Sequence, residues 1–181
     1  MRPQRAAVLL KPLLLAGFAA VVLAPLAGAD QAGIDGPFIE SSAITWKVNS
    51  ANASRWKTLV GGSEGGQINA SDVQFGEWQL APGAIYHGHR HEAPEIYYIT
   101  GGKARWTVGD ESREVTAGTT VYTRPGEVHR MENLTDEPVT ALWIWWAPGG
   151  DTSVFSGEYT FTEPQPAQPG VGFEESVERI Y

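Results

Sequence analysis

Residues 83–102 read GAIYHGHRHEAPEIYYITGG, and this stretch holds three of the four histidines of the chain. His89 and His91 are two positions apart, so on a β-strand both imidazoles point to the same face of the sheet. Glu95 follows after a short turn through Pro94, and the strand that it begins can pair back against the histidine strand. The spacing therefore predicts a carboxylate opposite two imidazoles.

A further candidate comes from residues 118–133, GTTVYTRPGEVHRMEN, where His129 follows a Pro-Gly turn. Three neutral imidazoles and one carboxylate suit a divalent transition metal such as Fe, Mn, Ni, Co or Zn. Octahedral coordination by His89, His91, Glu95 and His129 leaves two positions for water or substrate. Open positions distinguish a catalytic site from a closed structural one. The sequence does not choose among these metals.

The rest of the chain after residue 43 also indicates an all-β protein. Short segments rich in Val, Ile, Thr, Tyr and Trp alternate with glycine, proline or polar turns, and no convincing helical window occurs. Many short strands at regular spacing favour a sandwich or a closed barrel. We predict strands at Ile44–Val48, Trp56–Val60, Val73–Leu80, Ala84–His91, Glu95–Thr100, Lys103–Val108, Ser112–Thr116, Thr119–Thr123, Val128–Asn133, Val139–Trp146 and Glu158–Phe161.

The two ends of the chain differ from this strand pattern. Residues 1–29 have the basic start, apolar run and Ala-Gly-Ala cleavage site of a secretory signal peptide, with an uncleaved N-terminal anchor as the alternative. We predict an N-terminal arm at 30–43, a barrel at 44–162 and a proline-rich C-terminal tail at 163–181. The protein is therefore expected to be exported, either periplasmic or secreted, with no membrane segment in its mature form.

Charge and cysteine content exclude several classes of function. Residues 30–181 carry 10 Lys and Arg against 21 Asp and Glu, a formal net charge of −11. Nucleic-acid binding needs clustered cations for phosphate contacts, so no nucleic-acid partner is expected. The chain has no cysteine, which excludes thiolate nucleophiles and cysteine-ligated zinc or iron–sulfur clusters.

The spacing of the site residues resembles that of the cupin family. Gly83-x5-His89-x-His91-x3-Glu95-x6-Gly102 matches the first cupin motif, and Gly118-x6-Pro125-Gly126-x2-His129-x3-Asn133 resembles the second, with its proline one place later. The resemblance covers roughly residues 70–147. It implies a double-stranded β-helix, which is a jelly-roll barrel, with the metal bound inside by these three histidines and the glutamate. The N-terminal arm and the apolar strands favour a cupin-style homodimer. The alternative to metal binding is a storage or scaffold cupin that has lost its metal.

Aromatic residues are expected around the metal. Tyr97 shares the strand parity of Glu95 and should point into the barrel, and Tyr122 precedes the turn to His129, so both are candidate catalytic residues. His87 shares the parity of the metal-site histidines, and we expect it to face inward without binding the metal. The seven tryptophans are expected mainly to fill the core and a dimer face, with an aromatic cage for a cationic substrate as the alternative.

Short stretches such as residues 95–98, 104–106 and 108–110 are similar to small cupin lyases that cleave dimethylsulfoniopropionate. The similarity implies a metal-dependent lyase, in which a tyrosinate at Tyr97 or Tyr122 removes the α-proton and the sulfonium group leaves. Two alternatives remain open. One is an Fe(II)-dependent dioxygenase or isomerase of the cupin family, and the other is a cupin that binds a small ligand without turning it over.

Overall fold

The computed structural model describes residues 37–62, 66, 68–168 and 172–173. The predicted signal peptide at 1–29 lies outside these residues. Parts of the predicted arm and tail also lie outside them, namely residues 30–36, 169–171 and 174–181. Within the described residues, no helix is both long enough and apolar enough to cross a bilayer.

The described residues contain eleven β-strands, and each overlaps a strand predicted from the sequence. The other regular elements described are 3-10 helices at Ser41–Ala43, Pro148–Gly150 and Thr152–Phe155. The strands are β1 (Lys47–Asn49), β2 (Ser54–Val60), β3 (Val73–Leu80), β4 (Ile85–Arg90), β5 (Glu95–Gly101), β6 (Lys103–Val108), β7 (Glu111–Thr116), β8 (Thr120–Thr123), β9 (His129–Asn133), β10 (Val139–Trp146) and β11 (Thr160–Phe161).

The strands form two antiparallel sheets. One sheet has the order β1-β2-β3-β10-β5-β8, and the other has the order β11-β4-β9-β6-β7. Several neighbours in each sheet come from distant parts of the chain, as where β10 lies between β3 and β5. The predicted all-β jelly roll of the double-stranded β-helix type is confirmed.

A hydrophobic core joins the two sheets. Burial alternates strictly along β3, where Trp78 and Leu80 face inward, as expected for a strand with one buried face. The Trp78 ring lies 5.3 Å from Tyr97 of its own sheet and 5.9 Å from Trp106 of the other sheet, measured between ring centroids. Burial of such large rings contributes much of the apolar stabilisation of the fold.

The ends of three strands meet at one place in the barrel. β4 ends at Arg90, β5 begins at Glu95, and β9 begins at His129. Since β4 and β9 belong to one sheet and β5 to the other, their side chains approach from both sides of the core. Polar residues are therefore brought together between the sheets at this point.

Candidate metal centre

Three buried histidines converge in the barrel. His89 and His129 are register partners on β4 and β9, and His91 follows directly after β4. Their ring centroids are 4.0 Å apart for His89 and His129 and 5.1 Å apart for His91 and His129. One ring nitrogen from each lies within 4.8 Å of the corresponding nitrogens of the other two, so the three can bind one ion.

The carboxylate of Glu95 lies against two of these rings. Its Oε2 is 3.0 Å from Nε2 of His129 and 3.2 Å from Nε2 of His91, and the residue is 2% exposed. Burial alone raises the pKa of a carboxyl, but hydrogen bonds and positive charge from the His129 and His91 rings, in the form that carries a proton on Nε2, outweigh burial and hold the pKa of Glu95 well below its usual range. Glu95 is therefore a carboxylate at neutral pH.

Backbone carbonyls fix the orientation of all three imidazoles. Each Nδ1 faces a carbonyl oxygen within hydrogen-bond distance, and a neutral imidazole that donates from Nδ1 has its lone pair on Nε2. Nε2 of His91 and of His129 then faces the Glu95 carboxylate. The three contacts are His89 Nδ1 to His87 O at 2.8 Å, His91 Nδ1 to Ala93 O at 2.8 Å, and His129 Nδ1 to Glu127 O at 3.1 Å.

This arrangement fits a divalent cation. Nε2 of His129 is buried and has no hydrogen-bond partner, although the Glu95 oxygen is near it. Burial, followed by the charge of His129, lowers the pKa of His89 to about 3, so His89 is neutral at physiological pH. A lone pair that faces a carboxylate at this distance is repelled unless a positive charge lies between them. Three imidazoles and one carboxylate are a donor set suited to first-row divalent metals.

The turn before His129 explains the displaced proline of the second motif. Glu127 N donates to Arg124 O at 3.0 Å, which places Pro125 and Gly126 at the two central positions of a β-turn. Gly126 has a φ of 72°, the conformation that a Pro-Gly turn of type II requires. Gly126 N also donates to His91 O at 2.8 Å. The turn therefore ties the two histidine segments together.

A β-bulge in β4 changes which residues face the site. The register with β9 shifts between Tyr86 and His89, which inserts one extra residue and reverses the alternation of side chains. Tyr86 consequently faces the site, with its ring 4.4 Å from that of His89. The prediction that His87 faces inward beside the other histidines is wrong. Its Nδ1 contacts Glu163 at 3.2 Å instead.

The two candidate catalytic tyrosines have different positions. Tyr97 is 4% exposed and lies near Glu95, whereas Tyr122 is 48% exposed. β8 turns Val121 and Thr123 inward and Tyr122 outward. Tyr122 lines a separate cavity of about 510 Å³ formed by residues of β6, β7, β8 and the following turn, away from the histidines. The structure thus brings Tyr97, and not Tyr122, to the candidate metal centre.

An aromatic pocket of about 310 Å³ opens over Glu95. Phe161 on β11 and Tyr159 directly before it form part of the pocket wall, and neither was predicted from the sequence as a site residue. The signal was their i, i+2 spacing in a predicted strand, but the pairing partner of that strand was not evident. The lining residues are Asn49, Ser54, Trp56, Trp78, Tyr86, Glu95, Tyr97, Trp143, Trp145, Tyr159 and Phe161.

Comparison with known proteins agrees with the fold and the histidine cluster. Residues 76–145 match the Cupin domain family. An uncharacterised protein of Methanocaldococcus jannaschii is 36% identical over 61 residues, which cover 33% of this chain and 49% of that protein. An uncharacterised protein of Streptomyces coelicolor is 27% identical over 70 residues, which cover 39% of this chain and 67% of that protein. The matched part thus spans about half to two thirds of these relatives.

Solved structures with a similar fold have diverse described activities. The DMSP lyase DddQ from Ruegeria pomeroyi has a TM-score of 0.56 at 21% identity, covering 69% of this chain and 64% of its own. A predicted oxalate decarboxylase from Thermotoga maritima has a TM-score of 0.54 at 23% identity, and the match covers 61% of this chain and 98% of that protein. The polyketide cyclase RemF from Streptomyces resistomycificus has a TM-score of 0.53 at 16% identity, and the match covers 61% of this chain and 79% of that protein. The Cupin domain match over residues 76–145, the jelly-roll arrangement of the strands and the histidine cluster agree with one another.

Proposed function

We propose that this protein is a metal-dependent cupin lyase whose substrate carries both a cationic group and a carboxylate, as dimethylsulfoniopropionate does. The observation that carries the proposal is the lining of the pocket. Eight of its described lining residues are aromatic, one is the carboxylate Glu95, and none of those described is Lys or Arg. Aromatic faces attract cations, by about 0.5–2 kcal/mol for each well-placed ring.

The bound metal is part of this proposal. His89, His91, Glu95 and His129 would hold one divalent ion, which supplies Lewis acidity toward a carboxylate and so acidifies the adjacent C–H bond. Glu95 offsets one of the two charges of the ion. The site then keeps a net positive charge close to the metal, while the aromatic walls are suited to the cationic end of the substrate. This polarity favours a zwitterion over a dianion such as oxalate.

Tyr97 is the proposed base. Burial and then the charge of Glu95 raise the pKa of Tyr97 well above its ordinary value, so the phenolate forms only when a bound cation offsets both effects. The phenolate oxygen takes the proton from the α-carbon. The electron pair of that C–H bond forms the double bond of acrylate, and the C–S bond breaks to release neutral dimethyl sulfide. The proton is then on Tyr97 and returns to solvent.

The test uses Tyr97→Phe with Tyr98→Phe as the matched control. Tyr98 is the next residue on β5 but is 45% exposed. Each purified protein is assayed for acrylate release from dimethylsulfoniopropionate by chromatography, with and without oxygen, and for metal by elemental analysis. We expect Tyr97→Phe to retain its metal and lose at least about 100-fold in rate, as for loss of a general base, and Tyr98→Phe to match wild type.

Two results would contradict the lyase proposal. One is full acrylate release by Tyr97→Phe, and the other is a metal-loaded wild-type protein that releases none. Oxygen-dependent substrate consumption would favour the dioxygenase instead, and tight binding without product would favour the ligand-binding cupin.

Export and homodimer formation also belong to the proposal. They are supported by the sequence of residues 1–29 and by the cupin resemblance. We expect the protein recovered from the periplasm or medium to begin at Asp30 and to have twice the chain mass in solution. N-terminal sequencing and light scattering measure these properties.

A further inference from the structure

The end of the described chain runs along the metal-centre side of the barrel. We define residues 158–168 as the C-terminal strap. Its strand β11 pairs with β4, where Phe161 is the register partner of His89 and Thr160 that of Arg90. The strap lies beyond residues 76–145, the part that matches the Cupin domain family. Its contribution to the site therefore comes from outside the matched domain.

Hydrogen bonds and charged contacts hold the strap in place. Glu163 Oε1 accepts a hydrogen bond from Gly88 N at 2.7 Å and one from Arg130 Nε at 3.1 Å, and it lies 3.2 Å from His87 Nδ1. Thr162 N donates to Gly88 O at 2.7 Å. Since these bonds converge on the β4 bulge, the position of the strap is coupled to that of the adjacent His89.

A second anchor lies further along the strap. The Gln168 side chain pairs with the backbone of Ile85, accepting from its N–H at 2.8 Å and donating to its carbonyl at 2.9 Å. The strap is thus bound at both ends of β4. Tyr159 enters the site on a segment that is fixed on the sheet.

Tyr159 stacks directly on the histidines. Its ring centroid is 5.1 Å from that of His89 with an interplanar angle of 18°, and 5.7 Å from that of His91 with an angle of 19°. Its hydroxyl forms a short hydrogen bond with the hydroxyl of Tyr86. Both tyrosines line the pocket that contains Glu95. Tyr159, which is 39% exposed, therefore lies against the histidines and also forms part of the pocket wall.

The paired hydroxyls provide one donor for a ligand. Of their two protons, one lies between the two oxygens, and the other can be donated to a third acceptor. A tyrosine hydroxyl ordinarily loses its proton only near pH ~10, so both hydroxyls carry their protons at neutral pH. A hydrogen bond in such a chain is strengthened by its neighbour. A carboxylate oxygen is the acceptor best suited to this donor.

We propose that Tyr159 is a substrate-contacting residue of this site, and that with Tyr86 it donates a hydrogen bond to a carboxylate oxygen of the substrate. The identity of the substrate rests on the proposed function. The hydrogen bond itself requires only that a small carboxylate binds in the pocket. Acrylate, the carboxylate product of the proposed reaction, is therefore a suitable probe.

The experiment titrates acrylate into Co²⁺-loaded protein and follows the visible absorption of the ion. Tyr159→Phe keeps the ring over His89 and removes the hydroxyl, and Tyr98→Phe is the exposed control. We expect Tyr159→Phe to retain the Co²⁺ affinity and acrylate-free spectrum of wild type, while its Kd for acrylate rises about 10- to 100-fold, as for one lost hydrogen bond to a charged group. Tyr98→Phe should bind acrylate as wild type does.

Two outcomes would overturn the assignment. In one, Tyr159→Phe binds acrylate as tightly as wild type, and in the other the wild-type Co²⁺ spectrum does not respond to acrylate. Failure of the lyase proposal alone would look different. Wild type would then bind acrylate, with the predicted dependence on Tyr159, but would not form acrylate from dimethylsulfoniopropionate.

Glu163 is assigned as a positioning residue that acts through Tyr159. Glu163→Gln should weaken acrylate binding about threefold, less than direct loss of one hydrogen bond, and Glu158→Gln, an exposed change in the same strap, should have no effect. Adding Glu163→Gln to Tyr159→Phe should cause no further loss, because the coupled partner is already absent. A merely structural role would give additive losses, and that result would remove Glu163 from the proposal.

Discussion

Glu95 gives the candidate metal centre its charge, because it is the buried carboxylate among neutral imidazoles. Glu95→Gln keeps the shape of the side chain and removes the charge. We expect the affinity for a divalent metal to fall by at least about 100-fold, more than is typical when a residue behind a metal ligand is changed. Competition with a chromogenic chelator measures this loss.

The control for Glu95→Gln is Glu114→Gln. Glu114 is an exposed residue of β7 whose carboxylate pairs with Lys103 at 2.8 Å. Both variants lose one negative charge from an acidic domain, so a general electrostatic effect would appear in both. Equal metal affinity in Glu95→Gln and wild type would contradict the placement of Glu95 at the metal.

Single residues also show what the sequence could predict about the site. His89, His91, Glu95 and His129 could be selected because fixed spacing and strand parity depend on local sequence. His87 could not be placed, since the bulge that reverses parity after Tyr86 arises from pairing with β9. Tyr159 was missed for a related reason, as its contact with His89 depends on β11 pairing with β4, about 70 residues earlier in the chain.

Two glycines lie where neighbouring segments approach closely, and replacing each should lower the free energy of unfolding by a different amount. A Cβ on Gly76 of β3 would lie 1.8 Å from the backbone oxygen of Lys57, and one on Gly88 of β4 would lie 2.9 Å from Oγ1 of Thr162. A threonine side chain can rotate away, whereas a backbone oxygen within the sheet cannot. We expect Gly76→Ala to cost about 3 kcal/mol of unfolding free energy and Gly88→Ala about 1 kcal/mol.

Urea unfolding of both alanine variants measures this difference. Gly172→Ala is the control, because a Cβ at Gly172 would contact nothing within 4 Å. In the double variant Gly88→Ala, Thr162→Ala, the clash with Oγ1 is removed, so most of the Gly88→Ala loss should be recovered. Equal losses at Gly76 and Gly88 would show that the approach of β2 to β3 is not the limiting contact.

At the scale of elements, strand positions were accessible from the sequence but strand neighbours were not. Enrichment in Val, Ile, Thr, Tyr and Trp between glycine, proline or polar turns is a local property, and it gave β3, β6 and β10 with the bounds that the structure has. The order β3-β10-β5 joins segments separated by dozens of residues. The jelly-roll order followed only from the family resemblance, since local pattern does not specify which edges pair.

The candidate metal centre lies between the two sheets of the whole molecule. His89 and His129 belong to the sheet of β4 and β9, and Glu95 belongs to the sheet of β5. A bound ion would therefore link the sheets directly, in addition to the hydrophobic core. Because the ion binds the folded protein and not the unfolded chain, metal binding adds to the free energy of unfolding.

Removal of the metal should consequently lower the thermal stability of the whole domain. Free metal at 100 times its Kd stabilises the folded state by about 2.7 kcal/mol. For a domain of this size, that corresponds to a Tm about 5–10 °C higher than in excess chelator. Calorimetry of metal-loaded and chelated wild type measures the difference. Glu95→Gln, which loses the ligand from the sheet of β5, should show a much smaller difference at the same metal concentration. A wild-type Tm that is unchanged by chelation would contradict a metal link between the sheets.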